Sequence, residues 1–89
     1  MANLYLINKP YGENGLKIAK LDEDAQVVLI QDGVYLDARR FVGSKVKIHV
    51  LKDDVLKRGL EDRFHEDVDF INYDQLVELI VQNKVINFA

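Results

Sequence analysis

The chain has 89 residues, 48% of them hydrophobic and 30% charged, with a formal net charge of -3 and no cysteine. That balance describes a single small globular domain, near the size at which one core is only modestly stable and association with other subunits adds to stability. It excludes a disulfide, a thiolate zinc site, a cysteine nucleophile and a persulfide carrier on this chain, and it offers no clustered Lys and Arg for sequence-independent binding of nucleic acid.

No apolar run in the sequence reaches the length of a membrane-spanning helix. The opening Met1-Ala2-Asn3-Leu4-Tyr5-Leu6-Ile7 lacks the basic and long apolar regions of a signal peptide, so a cytoplasmic location is expected. Residues 3–8 read as a first strand. Pro10-Tyr11-Gly12-Glu13-Asn14-Gly15 then breaks regular structure before a short helix over residues 16–21, with Asn14 as its N-cap. The glycines stand where a phosphate-binding turn would, but the full fingerprint is absent and Glu13 would repel an anion.

Val27-Val28-Leu29-Ile30 cannot alternate between core and water, which predicts a central strand covered on both faces. Gln31-Asp32-Gly33-Val34-Tyr35 follows at once, with Asp32 placed to cap a new helix and Gly33 to turn the chain. In that helix Val34, Ala38, Phe41 and Val42 form one stripe toward the sheet, and Gly43 ends it.

The third predicted strand, residues 45–51, differs because Val46, Ile48 and Val50 alternate with Lys45, Lys47 and His49. One of its faces is polar, which places His49 in solvent or at an interface. Lys52-Asp53-Asp54-Val55-Leu56-Lys57-Arg58-Gly59 reads as a compact helix whose charges all complement its dipole, with glycine closing it. A charged loop follows, anchored by Phe64. Its His65-Glu66-Asp67 lacks the spacing that brings ligands onto one metal ion. A fourth strand over residues 68–71 leads into Asn72-Tyr73-Asp74-Gln75, a capping-box signature. The helix after it carries Leu76, Val77, Leu79, Ile80 and Val81, more apolar surface than one sheet contact needs, and part of it is expected to meet a neighbouring subunit. Lys84–Phe88 suits a short edge strand.

Alternating strands and helices predict a three-layer α/β/α sandwich around a mostly parallel sheet of four to five strands, with strand order left open. Catalytic signals are sparse: Ser44 is the only serine, threonine is absent, and no carboxylate pair is marked as an acid and base couple. No metal or other cofactor is expected.

Three blocks carry a family resemblance: Val28-Leu29-Ile30-Gln31-Asp32-Gly33-Val34-Tyr35, then Ile48-His49-Val50-Leu51-Lys52-Asp53-Asp54-Val55-Leu56-Lys57-Arg58-Gly59-Leu60, then Ile71-Asn72-Tyr73-Asp74-Gln75-Leu76-Val77-Glu78-Leu79. In order and spacing the chain resembles the DsrH/TusB family over nearly its whole length. The resemblance implies a DsrE/F/H-like α/β domain over residues 1–89, acting as a non-catalytic structural subunit of a sulfur-relay complex of the DsrEFH or TusBCD type. Such complexes serve 2-thiolation of the tRNA wobble uridine or intracellular sulfur oxidation. The implied partners are cysteine-bearing subunits like DsrE/TusD and DsrF/TusC. In those sister subunits the active cysteine stands at the end of the third strand, where this chain has Leu51-Lys52. The resemblance therefore assigns shape rather than chemistry. It places Gln31, Asp32, Gly33 and Tyr35 at one strand end, and Lys52, Asp53 and Arg58 at the next, beside the interface or groove in which a partner's cysteine is positioned. The competing reading is a stand-alone homo-oligomeric enzyme or small-ligand binder with a pocket above Gly12 to Gly15 and Asp32-Gly33.

Overall fold

The computed structural model of the chain describes residues 3–43, 46–64 and 68–89. Ser44, the Lys45 start of the third predicted strand and the His65-Glu66-Asp67 run lie outside the described residues. Five strands form one sheet: β1 (Asn3–Ile7), β2 (Ala25–Leu29), β3 (Lys47–Leu51), β4 (Asp69–Ile71) and β5 (Lys84–Phe88). Their order is β4-β3-β2-β1-β5. All four pairings are parallel.

The layers follow from that order. From β1 to β4 the chain steps along the sheet in one direction, and right-handed crossovers in a constant direction place their helices on a common face. Helices α1 (Gly12–Lys20), α2 (Ala38–Val42) and α3 (Lys52–Lys57) occupy it. There Leu16, Ala19, Ala38, Val42 and Val55 pack with Tyr5, Ile7, Val27, Leu29, Ile48 and Val50 in the main core. From β4 the chain returns across the whole sheet to β5, so α4 (Tyr73–Gln82) covers the opposite face. Leu76 and Leu79 of α4 pack on Leu4, Val28 and Ile71 in a smaller second core.

The expected punctuation holds at several points. Gly43 closes α2 with φ 71°, and Gly59 follows α3 with φ 63°. The capping box at α4 is complete: Gln75 N donates to Asn72 Oδ1 at 2.8 Å, and Asn72 N donates to Gln75 Oε1 at 2.9 Å. Phe64 is half-buried against the main core and meets Phe70 edge-on at 5.8 Å.

Three local expectations are corrected. Helix α1 starts at Gly12, four residues earlier than expected, with Tyr11 at the N-cap, so Asn14 lies inside it. Its glycines serve close packing rather than a loop: a Cβ on Gly12 would stand 2.5 Å from Leu36 Cδ1, and one on Gly15 2.6 Å from Ile7 Cδ1. The single helix expected from Val34 to Val42 is instead a 3-10 turn, Gln31–Tyr35, and the separate α2, interrupted at Leu36 in extended conformation. The break lets Leu36 pack against the main core beside Gly12. Finally, His49 is 2% exposed rather than solvent-facing, because the second face of β3 is covered as well.

Candidate functional site

The carboxyl ends of β1, β2 and β3 meet in a hydrogen-bonded cluster built around the 3-10 turn. Gly33 is wedged against β1: a Cβ there would stand 2.3 Å from Ile7 O and 2.9 Å from Asn8 Cα. Glycine is required at this position by that close approach, and the turn's left-handed residue is Gln31, with φ 49°. Asn8 holds the turn from β1, accepting Gly33 N on Oδ1 at 3.0 Å and donating Nδ2 to Gln31 Oε1 at 2.8 Å. Asp54 holds it from α3, accepting Gln31 N on Oδ2 at 2.6 Å while only 5% exposed.

Asp32 was expected to cap the new helix and does not, since the cap residue is Ile30 and no side chain caps it. Asp32 reaches across to α3, where its Oδ1 accepts both Arg58 Nε at 3.1 Å and Arg58 Nη2 at 3.0 Å. Arg58 also donates Nη1 to Asp54 O at 3.1 Å and pairs with Asp54 Oδ1 at 3.6 Å. Its guanidinium lies 6.0 Å from the centre of the Tyr35 ring, and Lys9 Nζ lies 5.4 Å from the same ring.

Of the seven residues singled out from the sequence, the structure brings Gln31, Asp32, Gly33, Tyr35 and Arg58 together. Lys52 and Asp53 stand exposed at the start of α3, on the same sheet edge but outside the hydrogen-bonded cluster. Sequence reasoning missed Asn8, Lys9 and Asp54. Asp54 was assigned only to the helix dipole, and its position one residue deeper than Asp53 in the helix start gave no sign of a partner 23 residues away.

Chemically the cluster is a rigid, charge-balanced platform. Among the described residues Asp32, Asp54 and Arg58 are paired with one another, and Lys9 rests on the Tyr35 ring. At Gly12, Gly15 and Gly33 the space next to each Cα is occupied by the chain's own atoms. A cavity of about 610 Å³ opens elsewhere, on the main-core face, with Tyr35, Leu36 and Phe64 in its walls and Arg40 and Arg63 at its rim. Among the described residues no group of three or more His, Asp or Glu side chains converges to hold a metal ion. Nor is any described helix long and apolar enough to cross a membrane.

A second polar cluster lies under α4. His49 Nδ1 sits 3.0 Å from Asp69 Oδ2, and Nε2 sits 3.0 Å from Gln26 Oε1. Burial pushes the imidazole below its ordinary value and Lys47 adds to that, against the hydrogen bond and charge of Asp69. A neutral ring donating from Nδ1 is satisfied at Nε2 when the Gln26 amide turns its NH2 toward it; the Oε1 orientation suits the imidazolium. At the amino edge, burial and then the hydrogen bond to Asp22 push the Tyr5 phenol up to about 12.

Comparison with known proteins returns a consistent set of relatives. The family described as "DsrH like protein" matches residues 13–86. Protein TusB of Escherichia coli O81 (strain ED1a) is 33% identical over 70 residues, covering 72% of this chain and 74% of that one. Protein TusB of Enterobacter sp. (strain 638) is 32% identical over 69 residues, covering 71% and 73%. The crystal structure of the ychN protein from E. coli superposes with a TM-score of 0.79 over 99% of both chains, at 16% identity, a likeness of fold.

Proposed function

The chain belongs to the DsrH family, and on that premise we propose that it is a non-catalytic structural subunit of a cytoplasmic sulfur-relay complex of the DsrEFH or TusBCD type. The observation that carries this reading is the absence of cysteine. A relay hands sulfur from thiol to thiol as a persulfide, and a chain without a thiol contributes surfaces. The charge-balanced edge cluster supports the same role, because its hydrogen-bonding groups are spent on each other rather than aimed at a substrate.

In this reading residues 1–89 act as one domain. Gln31, Asp32, Gly33, Tyr35, Lys52, Asp53 and Arg58 border the contact with cysteine-bearing partners of the DsrE/TusD and DsrF/TusC kind. Lys52 and Asp53 are exposed and lack partners among the described residues, so they are the groups most available to another subunit. The relatives named TusB favour 2-thiolation of the tRNA wobble uridine over sulfur oxidation as the process served.

The test is co-purification at native expression with intact-mass analysis, followed by persulfide labelling. Cysteine-bearing sister subunits should accompany the chain and carry all of the label. The purified chain turning over a sulfur donor by itself would overturn the reading. Replacing Lys52 and Asp32 by alanine should weaken assembly and lower sulfur flow; unchanged assembly would remove these residues from the contact.

A further inference from the structure

We propose that the cavity between α2 and the Glu61–Arg63 turn binds a small amphipathic carboxylate, with its apolar body against β2 and β3 and its head at the guanidinium groups of Arg40 and Arg63. The proposal rests on the main-core face of the sheet and does not depend on the sulfur-relay reading.

The cavity follows from the length of the helices beside it. At about 1.5 Å per residue, the five residues of α2 and the six of α3 run about 8 and 9 Å, whereas a five-residue strand runs about 16 Å. Two such short helices leave room above the sheet. Leu36, the extended residue that separates the 3-10 turn from α2, lines the opening. Its volume is about 610 Å³, within the range of small-molecule sites.

The lining says what fits. Leu29 of β2, Ile48 of β3 and Val34 of the turn form a buried base, and Leu36, Phe64 and Val68 stand half-buried around them. Close-packed interiors leave few spaces larger than a water molecule, and an apolar space is a poor host for water, which needs polar partners. An opening of this size and chemistry beside the main core suits an apolar occupant.

The charges around that base fix the other end of the ligand. Three of the four arginines in the chain, Arg39, Arg40 and Arg63, line this one cavity, against the carboxylate of Asp37, so its mouth is positive on a chain of net charge -3. Arg39 donates to Val46 O, and the fourth arginine, Arg58, is held by Asp32 and Asp54 at the sheet edge. Arg40 and Arg63 are exposed and make no ion pair or hydrogen bond among the described residues. A guanidinium fork matches a carboxylate with two parallel hydrogen bonds. A singly charged head also sheds less hydration beside an apolar base than the doubly charged head of a phosphate monoester, and Asp37 repels it less.

Titration of the full chain with octanoate, followed by calorimetry and by backbone amide NMR, tests the proposal. Octanoate should saturate one site, with the largest amide shifts at Val34, Leu36, Ile48 and Phe64. Octanol, which has the body without the head, and acetate, which has the head without the body, should each bind about tenfold more weakly, and octyl phosphate should also bind more weakly. Arg40→Gln and Arg63→Gln, at exposed positions that folding does not depend on, should each weaken octanoate about fivefold and leave octanol unchanged. Lys84→Gln removes the same charge from β5 at the far edge of the sheet and should have no effect. Val68→Trp fills the cavity and should abolish binding. No saturable binding of octanoate, equal affinity for octanol, tighter binding of octyl phosphate, indifference to both arginine variants, or the largest shifts on α4 would each overturn it.

Discussion

On one face of the sheet three helices press Leu16, Ala38, Val42 and Val55, none more than 5% exposed, onto the strands, whereas the other face carries α4, no residue of which is buried. The difference follows from topology. Three crossovers share the first face and only the long return from β4 to β5 crosses the second. The first face thus holds most of the hydrophobic stabilisation, and the second is left with a polar cluster under one flank of α4 and exposed apolar residues on the other. One face of the sheet carries most of the buried apolar core, and the helix on the other face leaves apolar side chains exposed.

The comparison is broken most directly by truncating matched leucines. Leu16→Ala on the first face should cost about 4 kcal/mol, and Leu76→Ala on the second about 1 kcal/mol, measured by urea denaturation. Equal losses would mean that the faces contribute alike. Gly33→Ala comes next. Its Cβ would meet the backbone of β1, which cannot give as a side chain can, so a loss of about 3 kcal/mol is expected. Asp54→Ala removes the acceptor of Gln31 N and should cost about 2 kcal/mol.

A smaller effect separates the faces by pH. His49 has a folded-state pKa below its ordinary 6.5, so the unfolded chain takes up its proton first as pH falls. The stability this residue contributes is therefore present above pH 6.5 and lost progressively below it. His49→Gln should flatten the stability profile in that window, and an unchanged slope would show that the imidazole is not the group responsible. The smallest change belongs to Lys52→Ala, within about 0.5 kcal/mol in denaturation of the isolated chain.

Local chemistry made part of this molecule legible in advance. Gly43, Gly59 and the Asn72–Gln75 capping box work within a few residues of themselves, so spacing alone reveals them. His49 misled because alternation reports which face a side chain takes and not what later covers that face. Asp54 and Asn8 escaped notice because the amides they satisfy lie 23 and 25 residues away. At Gly12, Gly15 and Gly33 the residue type was visible but its reason was not: each was assigned to a loop or turn, and each is needed for close approach between elements.

By itself the amino-acid sequence determined the class of fold, the alternation of strands and helices, the family, and the absence of thiol chemistry, since each depends on composition or on neighbours along the chain. Only the tertiary structure decided the strand order, the burial of His49 and the pairing of Asp32 with Arg58. Those depend on which segments distant in sequence come to lie side by side, and that is settled by crossover direction and packing rather than by local preference.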